Sequence, residues 1–377
     1  MRSIVVIDPA ELWDRLPAAL AGSGPALLPG GPADLAGPLG PDEDSPDDPT
    51  AVVVATSGST GEPKGVLLSA GALRASAEAT HARLGGPGRW LLATPARYIG
   101  GIQVVVRSLL AGSPPVVQDL STGFRAEDFL AAADQLLASP GRHYTALVPT
   151  QLARLVDTPA RSALAALDGI VLGGAPMGAE LRTAAAGLPV VTAYGMSETA
   201  SGCVYDGVPL DGVSVRLAED LLAGSSISTA GRVALSGPVL ARGYRNRPDL
   251  TAAAFVDGWF VTSDLGQWVD GRLTILGRAD DMINTGGVKV PASAVERLLE
   301  RHVPAACVVG LDDPEWGQIV AAVVVAADAD LDALREQVRA ELGAPAVPKV
   351  LRVVDALPLR GPGKIDKAAV RALLTSL

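Results

Sequence analysis

The sequence predicts an α/β protein in two parts: a large N-terminal α/β domain with a β-rich subdomain (residues 1–279), and a small C-terminal α+β domain (residues 280–377). Three observations predict it. From residue 51, short apolar runs alternate with alanine-rich helical stretches, as in a largely parallel sheet. Between 213 and 276, four apolar runs follow one another with little helix between them. After Gly277 the order becomes helix, two strands, helix, strand. A length of 377 residues suits two or three domains and a core that needs no disulfide or metal staple.

Taken in order, the first forty residues are rich in Ala, Pro and Gly and offer one amphipathic helix, 9–20. Residues 41–50, PDEDSPDDPT, carry five acids and three prolines and are expected to form a solvated connector. A buried strand is expected at 51–55 (AVVVA), then a helix at 70–84. Strands follow at 90–93, 115–117, 144–148, 169–172 and 189–193, with helices starting at Gly101 and spanning 126–138 and 178–186. The β-rich part comprises 213–217, 231–236, 259–262 and 273–276. In the small domain Pro291 opens a helix reaching 301, with Val295, Leu298 and Leu299 on one face. Strands 305–310 and 318–326, a helix 331–342 and a strand 350–354 complete it.

Composition removes several function classes. The chain has 41 acidic and 31 basic residues, a net charge of −10 and no Lys/Arg block, which argues against nucleic acid as a partner. An apolar share of 48% excludes a disordered chain. Cys203 and Cys307 form no CxxC pair and read as small buried hydrophobes. His81, His143 and His302 are isolated, unlike zinc ligands, and there is no GxSxG elbow. Asp8 and Glu11 interrupt the N-terminus before any secretory core develops, and no apolar run nears the ~18 residues of a membrane span. A cytoplasmic protein with no membrane span is expected, its state of assembly left open, a homo-oligomer included.

One string carries chemistry on its own. TSGSTGEPKG, residues 56–65, directly follows the 51–55 strand. Thr56, Ser57, Gly58, Ser59, Thr60 and Gly61 offer hydroxyls and backbone N–H groups to an anion, and Lys64 adds a charge, as in a phosphate loop. Pro63 before the lysine and Gly65 after it separate the string from a Walker A loop. It resembles the phosphate-loop signature of the adenylate-forming enzymes, which include acyl- and aryl-CoA ligases, peptide-synthetase adenylation domains and luciferases. Four further strings resemble that family's signatures in its order. They are YGMSE (194–198), Thr262-Ser263-Asp264 with Ser in place of the family's Gly, GRADDMINTGGVKV (277–290) and LPLRGPGKIDK (357–367).

The resemblance implies the adenylate-forming fold, with ATP, Mg²⁺ and coenzyme A as ligands. It implies that Tyr194, with Gly195 and Met196, lies against adenine, that Ser197 contacts the α-phosphate and that Glu198 holds Mg²⁺. A carboxylate beside polyphosphate makes sense with a metal between them. Gly174, Ala175 and Pro176 would line the adenine and acyl side. Asp264 would accept from the ribose diol, and Arg278 would contact ribose or phosphate. Asp280 would be the pivot between domains, and Gly286 and Gly287 would form the loop that approaches CoA. Lys364 would be the catalytic lysine, bridging the attacking carboxylate and the α-phosphate. Asn284 stands where the family often has Lys.

The strings ATHARLGGPGRWLLATP, LGGAP and YGMSETASGCVYDGVPLDGV resemble the short o-succinylbenzoate–CoA ligases of menaquinone biosynthesis. That implies ligation of an aromatic carboxylic acid to CoA through an acyl-adenylate, with release of AMP and pyrophosphate. The acid's second carboxylate calls for a cationic or multi-donor site, for which Arg97, Arg107 and Ser201 are the candidates. Tyr98 replaces the histidine of the family's aromatic-His-x-x-Gly string. Three alternatives stand beside this reading: a CoA ligase for another acid, a stand-alone adenylation enzyme loading a carrier protein, and a non-catalytic nucleotide-binding scaffold. An amino-acid substrate would want an acidic partner, and 95–112 has none. A scaffold would be expected to have lost Lys364, Glu198 or Arg278, and all three are present.

Overall fold

A computed structural model describes residues 2–57, 63–218, 230–360 and 364–375; at Ser57, Arg360 and Lys364 it describes the backbone alone. The chain divides into two units. One holds Met1–Pro176, Ala185–Val215 and Ala234–Val261; the other holds Met177–Ala184, Arg216–Val233 and Thr262–Leu377. Among the described residues no helix is long and apolar enough to cross a membrane.

The first unit opens with a βαβ turn of which the sequence suggests only the helix. Strands Ser3–Ile7 and Ala26–Pro29 run parallel, joined through helix Leu12–Leu20, which buries Leu12, Leu16, Ala19 and Leu20. The strands are too short for apolar periodicity to separate them from an Ala/Pro/Gly-rich loop. Ala26–Pro29 pairs with Thr50–Ser57, which pairs antiparallel with Pro63–Ser69. Val52, Val53, Val54, Val66, Leu67 and Leu68 are buried, so this hairpin is a core element up to the phosphate loop.

The acidic stretch 41–50 corrects the sequence reading: it is a set of clamps, not a solvated connector. Asp44 Oδ1 accepts from Arg2 at 3.0 Å and from the Thr50 N–H at 2.8 Å. Asp48 Oδ1 accepts the Gly71 N–H at 2.7 Å, in the first turn of helix Ala70–Arg83, where a carboxylate also complements the helix dipole. Glu43 accepts the Gly40 N–H at 2.7 Å, the Asn246 N–H at 2.8 Å and the Arg245 guanidinium.

The second sheet of this unit has seven strands. Arg89–Leu92, His143–Leu147, Gly169–Gly173 and Val190–Met196 run parallel, with Val116–Val117 at one edge. Ser201–Tyr205 and Val208–Pro209 continue the other edge antiparallel. Helix Ile99–Leu110 is buried along Gly101–Ser108, in keeping with its continuous apolar run. Leu92, Leu147, Gly173 and Met196 end the parallel strands on one edge, the edge at which open α/β sheets hold ligands.

The strands expected in the β-rich part occur at Ser214–Ala218, Ala230–Ser236, Trp259–Val269 and Arg272–Arg278. In the second unit, strands Ala305–Asp313 and Gly317–Val325 alternate their side chains between two cores. Ala306, Val308, Val320 and Val324 pack with Val295, Leu298, Leu299, Leu334 and Val338 of helices Ala292–Leu299 and Leu331–Leu342. Cys307, Val309, Ala321 and Val323 pack with Val370 and Leu374 of helix Lys367–Thr375. Burial on both faces explains the unbroken run IVAAVVV, which alternates in no simple way. Cys203 and Cys307 are free and buried, each thiol pushed up to about 12 chiefly by burial.

Candidate active site

In the first unit the phosphate-loop stem is the end of the hairpin, where Thr56 pairs with Lys64. The Thr56 hydroxyl donates to the Lys64 carbonyl at 3.4 Å. Gly58, Ser59, Thr60 and Gly61, and the Ser57 side chain, lie outside the described residues. Strand Gly243–Tyr244 pairs with the other face of the stem, Tyr244 opposite Val66. Its ring lies under the Lys64 ammonium, 5.5 Å from Nζ to the ring centroid, within cation–π range. The Tyr244 hydroxyl donates to Glu198 Oε1 at 2.9 Å. One tyrosine thus touches both the phosphate-loop lysine and the carboxylate of YGMSE. Burial first, then the Glu198 charge and hydrogen bond, hold the Tyr244 phenol above its ordinary range, so it donates as a neutral group.

The YGMSE segment is shaped around Glu198. Val190–Met196 meets Ser201–Tyr205 with a bulge between Tyr194 and Gly195. A Cβ on Gly195 would overlap the Ser201 carbonyl oxygen and stand 2.7 Å from Gly202 Cα, so this crossing requires glycine. Ser197 is buried, and the Thr199 hydroxyl accepts the Met196 N–H at 3.0 Å and lies 2.8 Å from the Ser201 carbonyl. Ala200 and Ser201 have φ of 49° and 101°, conformations that side-chain-bearing residues rarely adopt. The Ser76 hydroxyl holds the Ala200 carbonyl at 2.9 Å, and the Ala241 N–H donates to the Glu198 carbonyl at 2.8 Å. Residues 241–244 therefore grip Glu198 by its backbone and its side chain.

This carboxylate suits a hard cation. Glu198 is half-buried and, among the described residues, has no ion-pair partner; one oxygen accepts the Tyr244 hydrogen bond and the other accepts none among those residues. Mg²⁺ binds one or two carboxylates while keeping several waters, so the donor set fits it.

Of the other expected residues in this unit, Gly174, Ala175 and Pro176 follow the C-terminal end of Gly169–Gly173 and are exposed. Tyr194 and Met196 are half-buried within their strand. Arg97 is exposed and lies over the Tyr98 ring, 4.9 Å from its centroid, at the start of Ile99–Leu110. Ser201 follows Glu198 at the same edge as the stem of the YGMSE turn. Arg107 is elsewhere. It is 1% exposed and stacked 5.0 Å from the ring centroid of Trp90, near the first residues of the parallel strands, at the edge opposite Met196. Its Nε and Nη2 have no hydrogen-bond partner among the described residues, and burial lowers its pKa against the opposing effect of Tyr205. Beside it, Trp90 donates to His81 Nε2 at 3.3 Å, and burial, with Arg107, pushes His81 down to about 4.

In the second unit Asp264 and Arg278 pair across the hairpin of Trp259–Val269 and Arg272–Arg278. The Asp264 N–H donates to the Thr262 hydroxyl at 2.9 Å, and that hydroxyl donates to the Val233 carbonyl at 2.8 Å; Ser263 lies within strand Trp259–Val269 without a positive φ, so the position does not require glycine. Arg278 clasps Asp280 with two bonds of 2.8 and 2.7 Å. That bidentate contact raises the Arg278 pKa; Asp280 is pushed up by burial but lowered on balance by Arg278. Gly286 and Gly287 have φ of 58° and 80°, the pair of left-handed residues that a tight two-residue turn between Met282–Thr285 and Val288–Pro291 requires. Trp316 lies against Gly286, where a Cβ would come within 2.7 Å of its ring. The Lys364 backbone forms strand Lys364–Ile365, opposite Leu359–Arg360; its side chain lies outside the described residues.

The sequence reading missed Tyr244, Arg245 and Glu43. Arg245 takes the Glu43 carboxylate, donates to the Pro38 carbonyl at 2.8 Å and gives its backbone N–H to the Gly65 carbonyl at 2.7 Å, so it braces the stem from the side. The run Arg242-Gly243-Tyr244-Arg245, between two predicted strands, was the available signal.

Residues 4–245 match the family model of the AMP-binding enzyme, and residues 295–364 match the AMP-binding enzyme C-terminal domain. The chain is 48% identical over 377 residues to a probable 2-succinylbenzoate–CoA ligase of Mycobacterium tuberculosis (strain CDC 1551 / Oshkosh), covering 96% of this chain and 94% of that protein. It is 34% identical over 380 residues to a feruloyl-CoA synthase of an Amycolatopsis species, covering 94% and 76%. Among solved structures, o-succinylbenzoate CoA synthetase (MenE) from Bacillus subtilis in complex with the acyl-adenylate intermediate OSB-AMP aligns with a TM-score of 0.74 at 29% identity, over 88% of this chain and 70% of that one. The same enzyme in complex with ATP and magnesium ion aligns with a TM-score of 0.73 at 27% identity, over 87% and 70%. The fold is that of the adenylate-forming enzymes, and the chain belongs to the AMP-binding enzyme family, among its acid–CoA ligases.

Proposed function

We propose that this chain ligates 2-succinylbenzoate to coenzyme A through an acyl-adenylate, as a step of menaquinone biosynthesis. The observation that carries the reading is 48% identity along almost the whole length of a probable ligase for that acid. The Lys64–Tyr244–Glu198 contact supports the nucleotide side of it.

Lys64 and the N–H groups of the 56–61 loop bind the polyphosphate of ATP, Tyr194 lies against adenine with Gly174, Ala175 and Pro176, and Ser197 meets the α-phosphate. Asp264 accepts from the ribose diol and Arg278 lies at ribose or phosphate. Glu198 would hold Mg²⁺, which when bound would supply neutralising charge to the phosphates. The substrate carboxylate oxygen attacks the α-phosphorus, the bond to pyrophosphate breaks, and Lys364 stabilises the charge that develops between them. The small domain then turns about Asp280, withdrawing Lys364 and bringing the Gly286-Gly287 turn to the acyl group. The CoA thiolate attacks the acyl carbon, forming the thioester as AMP leaves. Of the residues expected to grip the second carboxylate, Arg97 and Ser201 remain candidates; Arg107 does not, because its guanidinium is buried against Trp90 at the other edge of the sheet.

A second reading, a CoA ligase for another aromatic acid, is favoured by the 34% identity to feruloyl-CoA synthase. Pyrophosphate release with Mg·ATP over a panel of acids, with and without CoA, separates the two. Release specific to 2-succinylbenzoate, with a CoA thioester as product, is expected. A thioester from ferulate or benzoate instead would replace the acid and keep the mechanism.

A further inference from the structure

Among the described residues, the strand that carries Lys364 pairs with one short strand alone. Leu359–Arg360 and Lys364–Ile365 form a two-stranded ribbon of their own, separate from the five-stranded sheet of the second unit. Leu359 and Ile365 are 54% and 36% exposed, so the ribbon's apolar residues are not buried in either core of that unit. A hairpin of this kind is not stable by itself in water. Among the described residues it is held at its base, where the Asp366 N–H donates to the Pro358 carbonyl at 2.8 Å. There the Asp366 carboxylate also accepts the N–H groups of Ala368 and Ala369 at 3.0 and 3.1 Å, starting helix Lys367–Thr375.

One side chain ties this base to something else. Lys367 Nζ donates to Asp281 Oδ2 at 2.7 Å, with the two side chains 30% and 25% exposed. Asp281 ends the short turn Ala279–Asp281, directly after the Arg278–Asp280 clasp. Lys367 stands three residues past Lys364, and Asp281 one residue past Asp280. The geometry points to Lys367 as a positioning residue: through Asp281 it locks the Lys364 ribbon to the segment after Arg278, so that the ribbon turns with that segment as one body. This rests on the proposed function for the role of Lys364 and deepens it. With both side chains largely shielded from water, this pair is less screened by salt than an exposed one. It joins residues 86 positions apart, so local structure cannot replace it.

The test uses full-length Lys367→Met, Lys367→Arg, Asp281→Asn and the Lys367→Met/Asp281→Asn double variant. Two readouts are needed. Amide hydrogen exchange reports the ribbon directly and does not depend on catalysis. Lys367→Met is expected to speed exchange at the ribbon strands Leu359–Arg360 and Lys364–Ile365 about tenfold or more while the strands Ala305–Asp313 and Gly317–Val325 keep their protection. ATP–pyrophosphate exchange reports the first half-reaction, and thioester formation from preformed acyl-adenylate reports the second. Lys367→Met and Asp281→Asn are expected to slow the first about tenfold through kcat, with the second changed less than twofold. The double variant should be no worse than either single one, and Lys367→Arg should retain most of the activity. Unchanged ribbon exchange, equal loss in both half-reactions, or additive losses in the double variant would overturn the proposal. A wild-type chain that activates no acid would instead refute the proposed function, and the hydrogen-exchange comparison would still decide whether Lys367 holds the ribbon.

Discussion

Replacing Tyr244 with Phe isolates one hydroxyl at the heart of the site. Phenylalanine keeps the ring beneath Lys64, so the cation–π contact at 5.5 Å survives. It removes the 2.9 Å bond to Glu198 Oε1, the only hydrogen bond to that carboxylate among the described residues. A hydrogen bond to a charged group contributes about 1.5–3 kcal/mol. If Glu198 must hold one orientation as the nucleotide reacts, that loss corresponds to roughly 10- to 100-fold in kcat/KM. The assay is ATP–pyrophosphate exchange titrated with Mg²⁺. The variant should need more metal to reach half-maximal rate, with the KM for the acid unchanged, because the acid does not contact Tyr244 in this account. Binding of Mn·ATP, followed by the electron paramagnetic resonance of the metal, should weaken in parallel. Rate and metal dependence within twofold of wild type would show that Tyr244 does not orient Glu198.

Three further outcomes follow from the buried charges. Arg107→Met should be neutral or stabilising by on the order of 1–4 kcal/mol in urea unfolding, because an apolar side chain of similar length keeps the packing on Trp90 and removes a buried cation whose Nε and Nη2 have no hydrogen-bond partner among the described residues; it should leave the KM for the acid unchanged, and a large rise in KM would contradict the placement of Arg107. Glu43→Ala strands the Arg245 side chain, which is 7% exposed, and should cost about 3–5 kcal/mol, read by chemical denaturation; a loss under about 1 kcal/mol would return the 41–50 stretch to a solvated connector. His81 is pushed down to about 4 from an ordinary 6.5, so as pH falls the unfolded chain takes up its proton first. Its contribution is complete above pH 6.5 and lost progressively down to pH 4, at most about 3 kcal/mol. Unfolding at pH 7.5 and pH 5 should show a shallower fall for His81→Gln than for wild type, and equal slopes would refute the assignment.

The parts of this fold that the sequence made legible are those whose signal is local. AVVVA, the helix expected at 70–84 and found at Ala70–Arg83, and the helix–strand–strand–helix order after residue 290 each carry their own apolar pattern, and each occurs within a few residues of its expected place. The phosphate-loop string was readable because hydroxyls, glycines and a lysine must be contiguous to surround an anion. What escaped depends on distant partners. Ser3–Ile7 is a strand because Ala26–Pro29 lies beside it. Glu43 is a clamp because Arg245 arrives from 202 positions away, and composition describes such an acid only as soluble. Tyr244 belongs to no local pattern, and its role comes from the hydroxyl it gives to Glu198, 46 positions away. Arg107 shows the converse: a cation on a helix near a proposed pocket suggests an anion, yet the helix is buried all along Gly101–Ser108 and carries Arg107 into the core with it.

The central claim is that one chain forms an acyl-adenylate and then hands the acyl group to CoA. A single-turnover reaction of enzyme, Mg·ATP and 2-succinylbenzoate without CoA, quenched and read by mass spectrometry, tests it most directly, with Lys364→Ala run in parallel. The account predicts 2-succinylbenzoyl-adenylate bound to the wild-type chain, its conversion to the CoA thioester and AMP when CoA is added, and no adenylate from Lys364→Ala. Thioester appearing without a detectable adenylate, or adenylate formed at an undiminished rate by Lys364→Ala, would contradict it.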